Sequence, residues 1–163
     1  MSVRLSYKFK NQISETLAFG TLGVSGEGTE RTLDSGTDPP VTKQAGGEHT
    51  LAAGAETLDL TAILNQAGAA VDFTGLKVQS IFIKANAANT ATIKFKTGAT
   101  NGYNLFGSAG GEISLSSNTA KTWGDECMLV FADTLPDVAA GAKTIDVSSS
   151  DVDAKYDITL VAG

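Results

Sequence analysis

The chain has 163 residues, of which 42% are hydrophobic and 18% are charged, and its formal net charge at pH 7 is −6. This length fits one domain, or one domain with an irregular arm, and the hydrophobic fraction is sufficient for a single buried core. Neutralising phosphates requires clustered Lys and Arg, whereas the basic residues here are scattered, so we expect no direct binding to nucleic acid.

Secretion, membrane insertion and disulfide formation are also not expected. Charged residues interrupt the N-terminal stretch MSVRLSYKFKNQ, so it lacks the apolar core of a signal peptide. No run approaches the roughly 20 apolar residues that a membrane-spanning helix requires. Cys127 is the only cysteine, which excludes an intrachain disulfide and a cysteine zinc cage. We therefore expect a soluble protein made in the cytoplasm.

The N-terminal third combines one strand pattern with a long polar stretch. VRLSYKF (3–9) alternates apolar and polar residues, which is typical of a half-buried strand. ETLAFGTLGVSG (15–26) fits another strand or an extended arm. The polar EGTERTLDSGTDPPVTKQAGGEH (27–49) cannot bury enough apolar surface to fold alone. We predict that residues 1–48 form an N-terminal strand plus an extended arm or loop, with an arm, an exchanged strand and an ordered loop all open for 10–48.

From residue 49 onward, short strand patterns follow one another between turn residues. KVQSIFIKANAANTATIKFKTGA (77–99) predicts a hairpin. Its first strand is apolar on both faces and so central, and its second alternates, with Ile93 and Phe95 inward. GEISLSS, TWGDECMLVFA, KTIDVSS and KYDITLV have the spacing of sandwich strands. We predict that 49–163 is an all-β, antiparallel β-sandwich, with a jelly roll as the leading topology.

His49 and Cys127 are the two residues that could take part in catalysis, but the sequence around neither of them favours that role. His49 is the only histidine and would have to serve any nucleophile–histidine–acid triad, yet it lies at a strand entrance typical of a loop or edge residue. Cys127 lies in the apolar run DECMLVF, which favours a buried and unreactive thiol. Since no acid, base and nucleophile converge in the pattern, we predict no catalytic residue and no enzymatic activity.

Two groups of carboxylates could attract a hard cation such as calcium. DSGTD brings Asp34 and Asp38 close together in a polar loop, and SSSDVDAKYD places Asp151, Asp153 and Asp157 near a turn. Neither stretch has the fixed calcium-loop pattern that ends in a glutamate. Solvated loop charges explain both groups, so we predict no metal site.

Glycine-rich stretches and aromatic residues could indicate two further kinds of binding site, a phosphate loop and a sugar-binding platform. TGATNGYN and GSAGGE lack the lysine and the strand-to-helix context of a phosphate loop, so we interpret them as turns and predict no cofactor. Trp123 and Tyr103 could serve as platforms on which sugars stack. Carbohydrate modules usually display several aromatic residues together, however, and packing in the core or at an interface is the stronger interpretation for Trp123.

Three stretches resemble a family of small tailed-bacteriophage and prophage proteins. They are HTLAAGAETLDLTAI, VDFTGLKVQSIFIKANAANTATIKFKTGATNGY and AAGAKTIDVSSSDVDAKYDITLVAG. The family shares a TLAAGA…LDLT stretch, a VKAI.I.A…N hairpin, a GATN.Y turn and a C-terminal YD strand. The resemblance covers roughly residues 49–163, and these motifs of turns and strand ends carry no catalytic signature.

The resemblance implies a structural protein of the virion, assembled in the host cytoplasm. A capsid decoration or cement protein, bound to the shell of major capsid protein, is the leading expectation. The resemblance also implies a homo-oligomer, with a trimer at a symmetry axis as one form. From the scattered basic residues and the lack of a long apolar run, we expect neither nucleic acid nor membrane as a partner. The alternative is a tail, neck or fibre-associated β-sandwich, and in the tail or fibre case it would recognise glycan on the host surface through Trp123 or Tyr103.

Overall fold

The computed structural model describes residues 40–106, 110–116, 124–131 and 134–163, residue 36, and the backbone of four strands between residues 5 and 33. In this part of the chain the regular elements are all strands, and none is an α-helix. A helix long and apolar enough to cross a membrane is accordingly not found among the described residues.

The described residues form fourteen strands. In chain order these are β1 (Leu5–Lys8), β2 (Gln12–Leu17), β3 (Gly20–Ser25), β4 (Glu30–Leu33), β5 (Lys43–Thr50), β6 (Ala55–Asp59), β7 (Ile63–Leu64), β8 (Ala70–Val71), β9 (Val78–Ala85), β10 (Ile93–Thr97), β11 (Glu112–Leu115), β12 (Glu126–Val130), β13 (Thr144–Ser149) and β14 (Lys155–Ala162).

Eight of these strands build a sandwich of two antiparallel sheets, which confirms the predicted all-β fold. Sheet I has the order β11-β10-β13-β6, and sheet II has the order β12-β9-β14-β5. Counted along the sandwich, the first strand pairs with the eighth, the second with the seventh, the third with the sixth and the fourth with the fifth. The β7–β8 hairpin packs beside β5.

The core lies between the two sheets and is supplied by alternate positions of their strands. Ile93 and Phe95 of β10 are fully buried, whereas Lys94 and Lys96 are exposed, as the alternating pattern predicts. Sheet II contributes the inward residues of β9 and β14. The fully buried residues of these three strands include Ile81, Ile83, Ile93, Phe95, Ile158 and Leu160. Such burial is the main stabilising term of the fold.

The predicted hairpin over residues 77–99 is wrong, although both of its strands exist. β9 pairs with β12 and β14 in sheet II, and β10 pairs with β11 and β13 in sheet I. The loop between them therefore carries the chain from one sheet to the other. Buried Asn89 fixes this crossing, because its side chain accepts from the Lys155 amide and donates to the Lys155 carbonyl at 2.8 Å each.

The sandwich begins earlier than the predicted boundary between 48 and 49. β5 starts at Lys43 and pairs with β14 along its whole length, so residues 43–48 belong to sheet II and not to a surface arm. Gly46 makes this pairing possible. Its φ is +118°, and a Cβ at this position would lie 2.1 Å from the carbonyl oxygen of Ile158.

The strands before residue 34 form two antiparallel pairs, here named together the N-terminal ribbon (β1 to β4). β2 pairs with β3, and β1 pairs with β4. The strand predicted at 3–9 is present as β1, and the stretch 15–26 overlaps β2 and β3. In the described structure, the ribbon strands have no packing on sandwich strands comparable to their pairing with one another.

Candidate functional site

A polar cluster joins the two sheets at the edge where β5, β6 and β14 meet. The Tyr156 hydroxyl donates to Glu56 Oε1, and the His49 Nδ1 atom lies 3.3 Å from Glu56 Oε1 and 3.4 Å from Glu56 Oε2. The His49 ring stacks on the Tyr156 ring with centroids 5.2 Å apart, and Phe95 meets the same tyrosine edge-on at 5.0 Å. His49 is therefore a packed residue inside a hydrogen-bonded cluster.

The cluster perturbs the ionisation of its own members. Burial opposes ionisation of Glu56, but hydrogen bonds from His49 and Tyr156 outweigh it and hold the pKa of Glu56 below its usual value. Burial raises the pKa of Tyr156, and its bond to the Glu56 carboxylate raises that pKa further. The arrangement favours a glutamate that stays ionised and a tyrosine that stays protonated, which suits a fixed link between strands.

Cys127 is not placed to act with His49. Cys127 lies on β12 and His49 on β5, at opposite edges of sheet II, three strand spacings or about 14 Å apart. The thiol packs partly buried against the core, and burial raises its pKa. A raised pKa disfavours the thiolate form that a nucleophile requires.

The carboxylates singled out at the C-terminal turn do not converge. Asp151 accepts from the amides of Thr90 at 2.7 Å and Asp153 at 3.3 Å, so it holds local turns. Asp157 lies on β14 opposite Lys84 and Glu48. Among the described residues, no group of three or more His, Cys, Asp or Glu is placed to hold a metal ion. Asp34 and Asp38 lie outside the described residues.

Tyr103 is not a sugar platform, because its side chain is fully buried. Its hydroxyl donates to the Pro136 carbonyl at 2.7 Å and accepts from the Val78 amide at 3.2 Å. These bonds connect the loops that hold Tyr103 and Pro136 to the first residue of β9. Trp123 lies outside the described residues. The TGATNGYN stretch forms a turn in which Gly98 and Tyr103 both donate their amides to the Thr144 carbonyl.

A surface that the sequence did not indicate lies on the outside of sheet II. Two rows of residues cross all four strands there in the order β12, β9, β14, β5. The charged row is Glu126, Lys84, Asp157 and Glu48, and the neighbouring row is Met128, Phe82, Thr159 and Gly46. We name these eight residues the outer sheet II face. It joins an acidic strip to a strip with two large, half-buried apolar side chains.

Two shallow depressions lie on the outer sheet II face. One, of about 520 Å³, is lined by Glu48, Phe82, Lys84, Asp157 and Thr159 together with Gly47, Gln66 and Ile158. A second depression, of about 460 Å³, is lined by Lys84 and residues 124–126. The two meet at Lys84, so the surface offers a shallow polar and aromatic groove in place of an enclosed pocket.

Sequence reasoning could find only part of this surface. Phe82 and Lys84 have the same parity in β9, which places them on one face of a strand. Their neighbours Met128, Thr159 and Gly46 lie far away in the chain, however, and only the pairing of β12, β14 and β5 brings them together. A local pattern holds no information on such long-range register.

Comparison of the chain with known protein families, curated proteins and solved structures gave no match in any of the three searches. The resemblance to tailed-phage proteins, noted above on residues 49–163, therefore stays a prediction.

Proposed function

We propose that this chain is a structural protein of a bacteriophage virion, a decoration or cement protein that binds the shell of major capsid protein. It has no catalytic role, is assembled in the host cytoplasm and becomes part of the particle. The observation that carries the proposal, beside the sequence resemblance, is the nested pairing of the eight sandwich strands.

The nested pairing supports a jelly-roll topology. Folding one long antiparallel hairpin onto itself pairs first with last strand, second with seventh, third with sixth and fourth with fifth. The remaining contacts, β14 with β9 and β13 with β10, close the two four-stranded sheets of that roll. Jelly rolls with two sheets of four strands are used in viral capsid and lectin domains. Both of those roles are binding roles carried by surfaces.

Binding to a shell would use exposed surface and many weak contacts. The outer sheet II face supplies exposed carboxylates and half-buried apolar side chains for such contacts. An oligomer, with a trimer as one form, would present several copies of this surface to a repeating shell. Multivalent attachment multiplies modest affinities, so no single strong site is required.

Co-sedimentation tests this function directly. Purified protein is mixed with emptied, DNA-free phage heads that lack it, and the heads are pelleted. The proposal predicts saturable binding at a fixed ratio to major capsid protein. Recovery of the protein on tails or host envelopes, with none on heads, would contradict it.

A second candidate is glycan recognition by a tail or fibre-associated sandwich. The observation that favours it is that one cleft is lined by Phe82 together with Asp157, Lys84 and Glu48, since aromatic and polar groups together recognise sugars. Phe82→Ala, compared with Thr57→Ala on the exposed outer side of β6, should then abolish binding to host polysaccharide on a glycan array. Equal binding by both variants would exclude this role for the cleft.

A further inference from the structure

The turn that follows β10 contains an asparagine and a glycine in sequence, Asn101 and Gly102. Asn101 is exposed and has φ +54°, a left-handed conformation that asparagine tolerates better than most residues. A Cβ at Gly102 would lie 2.2 Å from the carbonyl oxygen of Gly98. Because only glycine fits at position 102, the fold itself requires a glycine directly after this exposed asparagine.

An asparagine followed by glycine can react with its own backbone. The backbone nitrogen of the glycine attacks the side-chain carbonyl carbon of the asparagine, which forms a cyclic succinimide and releases the side-chain nitrogen as ammonia. Water then opens the ring. Opening at the former side-chain carbonyl gives aspartate, and opening at the main-chain carbonyl gives isoaspartate, in which the chain runs through the former side chain. Glycine favours the attack because no Cβ shields its nitrogen.

Both reacting groups of this pair are free in the described part of the chain. The Asn101 side chain has no hydrogen-bond partner among the described residues, and the Gly102 amide donates to none of them. The asparagine is also exposed, so water and hydroxide reach it. The reaction consumes water and releases ammonia, and it needs no enzyme, oxidant or cofactor.

The other asparagines lack this combination. Asn101 is the only asparagine in the sequence that precedes a glycine. Asn65 and Asn86 each accept a backbone amide of their own turn at 2.9 Å. Asn89 is buried and bonded through both side-chain atoms to the backbone of Lys155. The chain therefore contains internal controls for the reactivity of Asn101.

The backbone at Asn101 also holds the start of β13. Its carbonyl accepts the amides of Lys143 at 2.7 Å and Thr144 at 3.0 Å, and the Thr144 carbonyl accepts the amides of Gly98 and Tyr103 at 3.0 and 2.8 Å. Isoaspartate adds a carbon atom to the main chain at this point, so these bonds cannot all keep their lengths. Aspartate leaves the main chain unchanged.

We propose that Asn101 is a site of spontaneous deamidation in the folded protein. The reaction converts Asn101 to aspartate and isoaspartate, adds one negative charge to a chain whose formal charge is −6, and weakens the attachment of the turn to β13. The inference is independent of the proposed function, because it concerns the chemistry of the isolated protein.

Peptide mapping by mass spectrometry tests the reaction. The full-length protein is kept folded at neutral and at mildly alkaline pH, and samples are digested at intervals. Deamidation at Asn101 should exceed that at Asn86 at least about tenfold, because only Asn101 is followed by a residue without a Cβ. It should also be faster at the higher pH, because the attacking amide nitrogen must lose its proton.

Two variants separate the added charge from the altered main chain. Asn101→Gly keeps a residue that adopts positive φ and removes the reacting side chain. Asn101→Asp carries the charge on an ordinary main chain. The aged unaltered protein should gain acidic species on ion exchange and melt at a lower temperature, whereas aged Asn101→Gly should do neither. Freshly made Asn101→Asp should melt with the fresh unaltered protein.

Three results would overturn the inference. The first is deamidation of Asn101 only in urea-unfolded protein, because the fold would then protect the pair. The second is an equal rate at Asn101 and Asn86. The third is an equal change of melting temperature on ageing in the unaltered protein and Asn101→Gly, which would show that the modified turn does not weaken the sandwich.

Discussion

Three polar side chains hold the two sheets together where β5, β6 and β14 meet. Tyr156 is almost completely buried, and its hydroxyl reaches the Glu56 carboxylate across the sandwich, with His49 stacked on the tyrosine ring. Hydrogen bonds to an ionised group are worth more than neutral ones, and leaving a buried partner unpaired costs the full desolvation energy. At the residue scale, the packing of His49, the only histidine, in this cluster explains its presence without a catalytic role.

Tyr156→Phe should lower the free energy of unfolding by about 1–2 kcal/mol at pH 7. The folded-state pKa of Glu56 is depressed, so the stability from its ionised form is present above the unfolded-state pKa and is lost as pH falls through the folded value. The difference between unaltered protein and variant should therefore shrink below about pH 4. Urea unfolding at several pH values measures it.

Tyr103→Phe is the matched control for this pH dependence. Tyr103 is equally buried, but the partners of its hydroxyl among the described residues are backbone groups of Pro136 and Val78, which do not titrate. Its cost should stay constant between pH 7 and pH 3. A Tyr156→Phe cost that does not change with pH would show that Glu56 is not the charged partner.

Gly46→Ala tests the backbone of β5. The residue has φ +118°, and the added Cβ would clash with the Ile158 carbonyl, so we expect a loss of more than about 2 kcal/mol in stability. Gly141→Ala enters open space and should change stability by less than about 0.5 kcal/mol. Thermal unfolding compares the two. Equal melting temperatures would contradict the described pairing of β5 with β14.

At the scale of elements, local patterns predicted strands well and their partners poorly. The alternation in β10 gave the correct inward residues, and the apolar run in β9 gave a strand that does lie inside a sheet. The hairpin joining them was wrong, because the seven-residue loop 86–92 crosses between sheets and pairing is decided by β13 and β14, far along the chain. Short connections favour hairpins but do not require them.

The strand β5 was not predicted from the sequence, for a different reason. Its core reads KQAGGEH, with two adjacent glycines and few β-branched residues, which is typical of a loop. The strand forms because β14 offers a complete edge and because only glycine tolerates the backbone at Gly46. The outer sheet II face also could not be predicted from local sequence, because it forms only when four strands that are distant in the chain pair in register.

Truncation separates the ribbon from the sandwich. Removing residues 1–35 should leave a cooperatively folding domain, because the described sandwich contacts begin at Pro40 and Val41. Removing residues 1–50 also deletes β5, which uncovers β14 and removes the buried Val41 and Ala45, so folding should fail. Circular dichroism with thermal unfolding decides this. Loss of cooperative unfolding on removing 1–35 would show that the ribbon is part of the folded core.

At the scale of the whole molecule, eight strands form a two-sheet sandwich, and the strands before residue 34 pair with one another. A decoration protein with such a sandwich would attach to a shell through repeated weak contacts of its exposed surface, so that no single contact has to be strong.

Whether the protein decorates the capsid is decided by electron cryomicroscopy of heads with and without added protein. We expect additional density of two-sheet sandwiches on the outer surface of the shell, repeated according to its symmetry and in contact with major capsid protein. A head surface that is identical with and without the protein, under conditions where the protein is folded and in excess, would contradict a role in decorating the capsid.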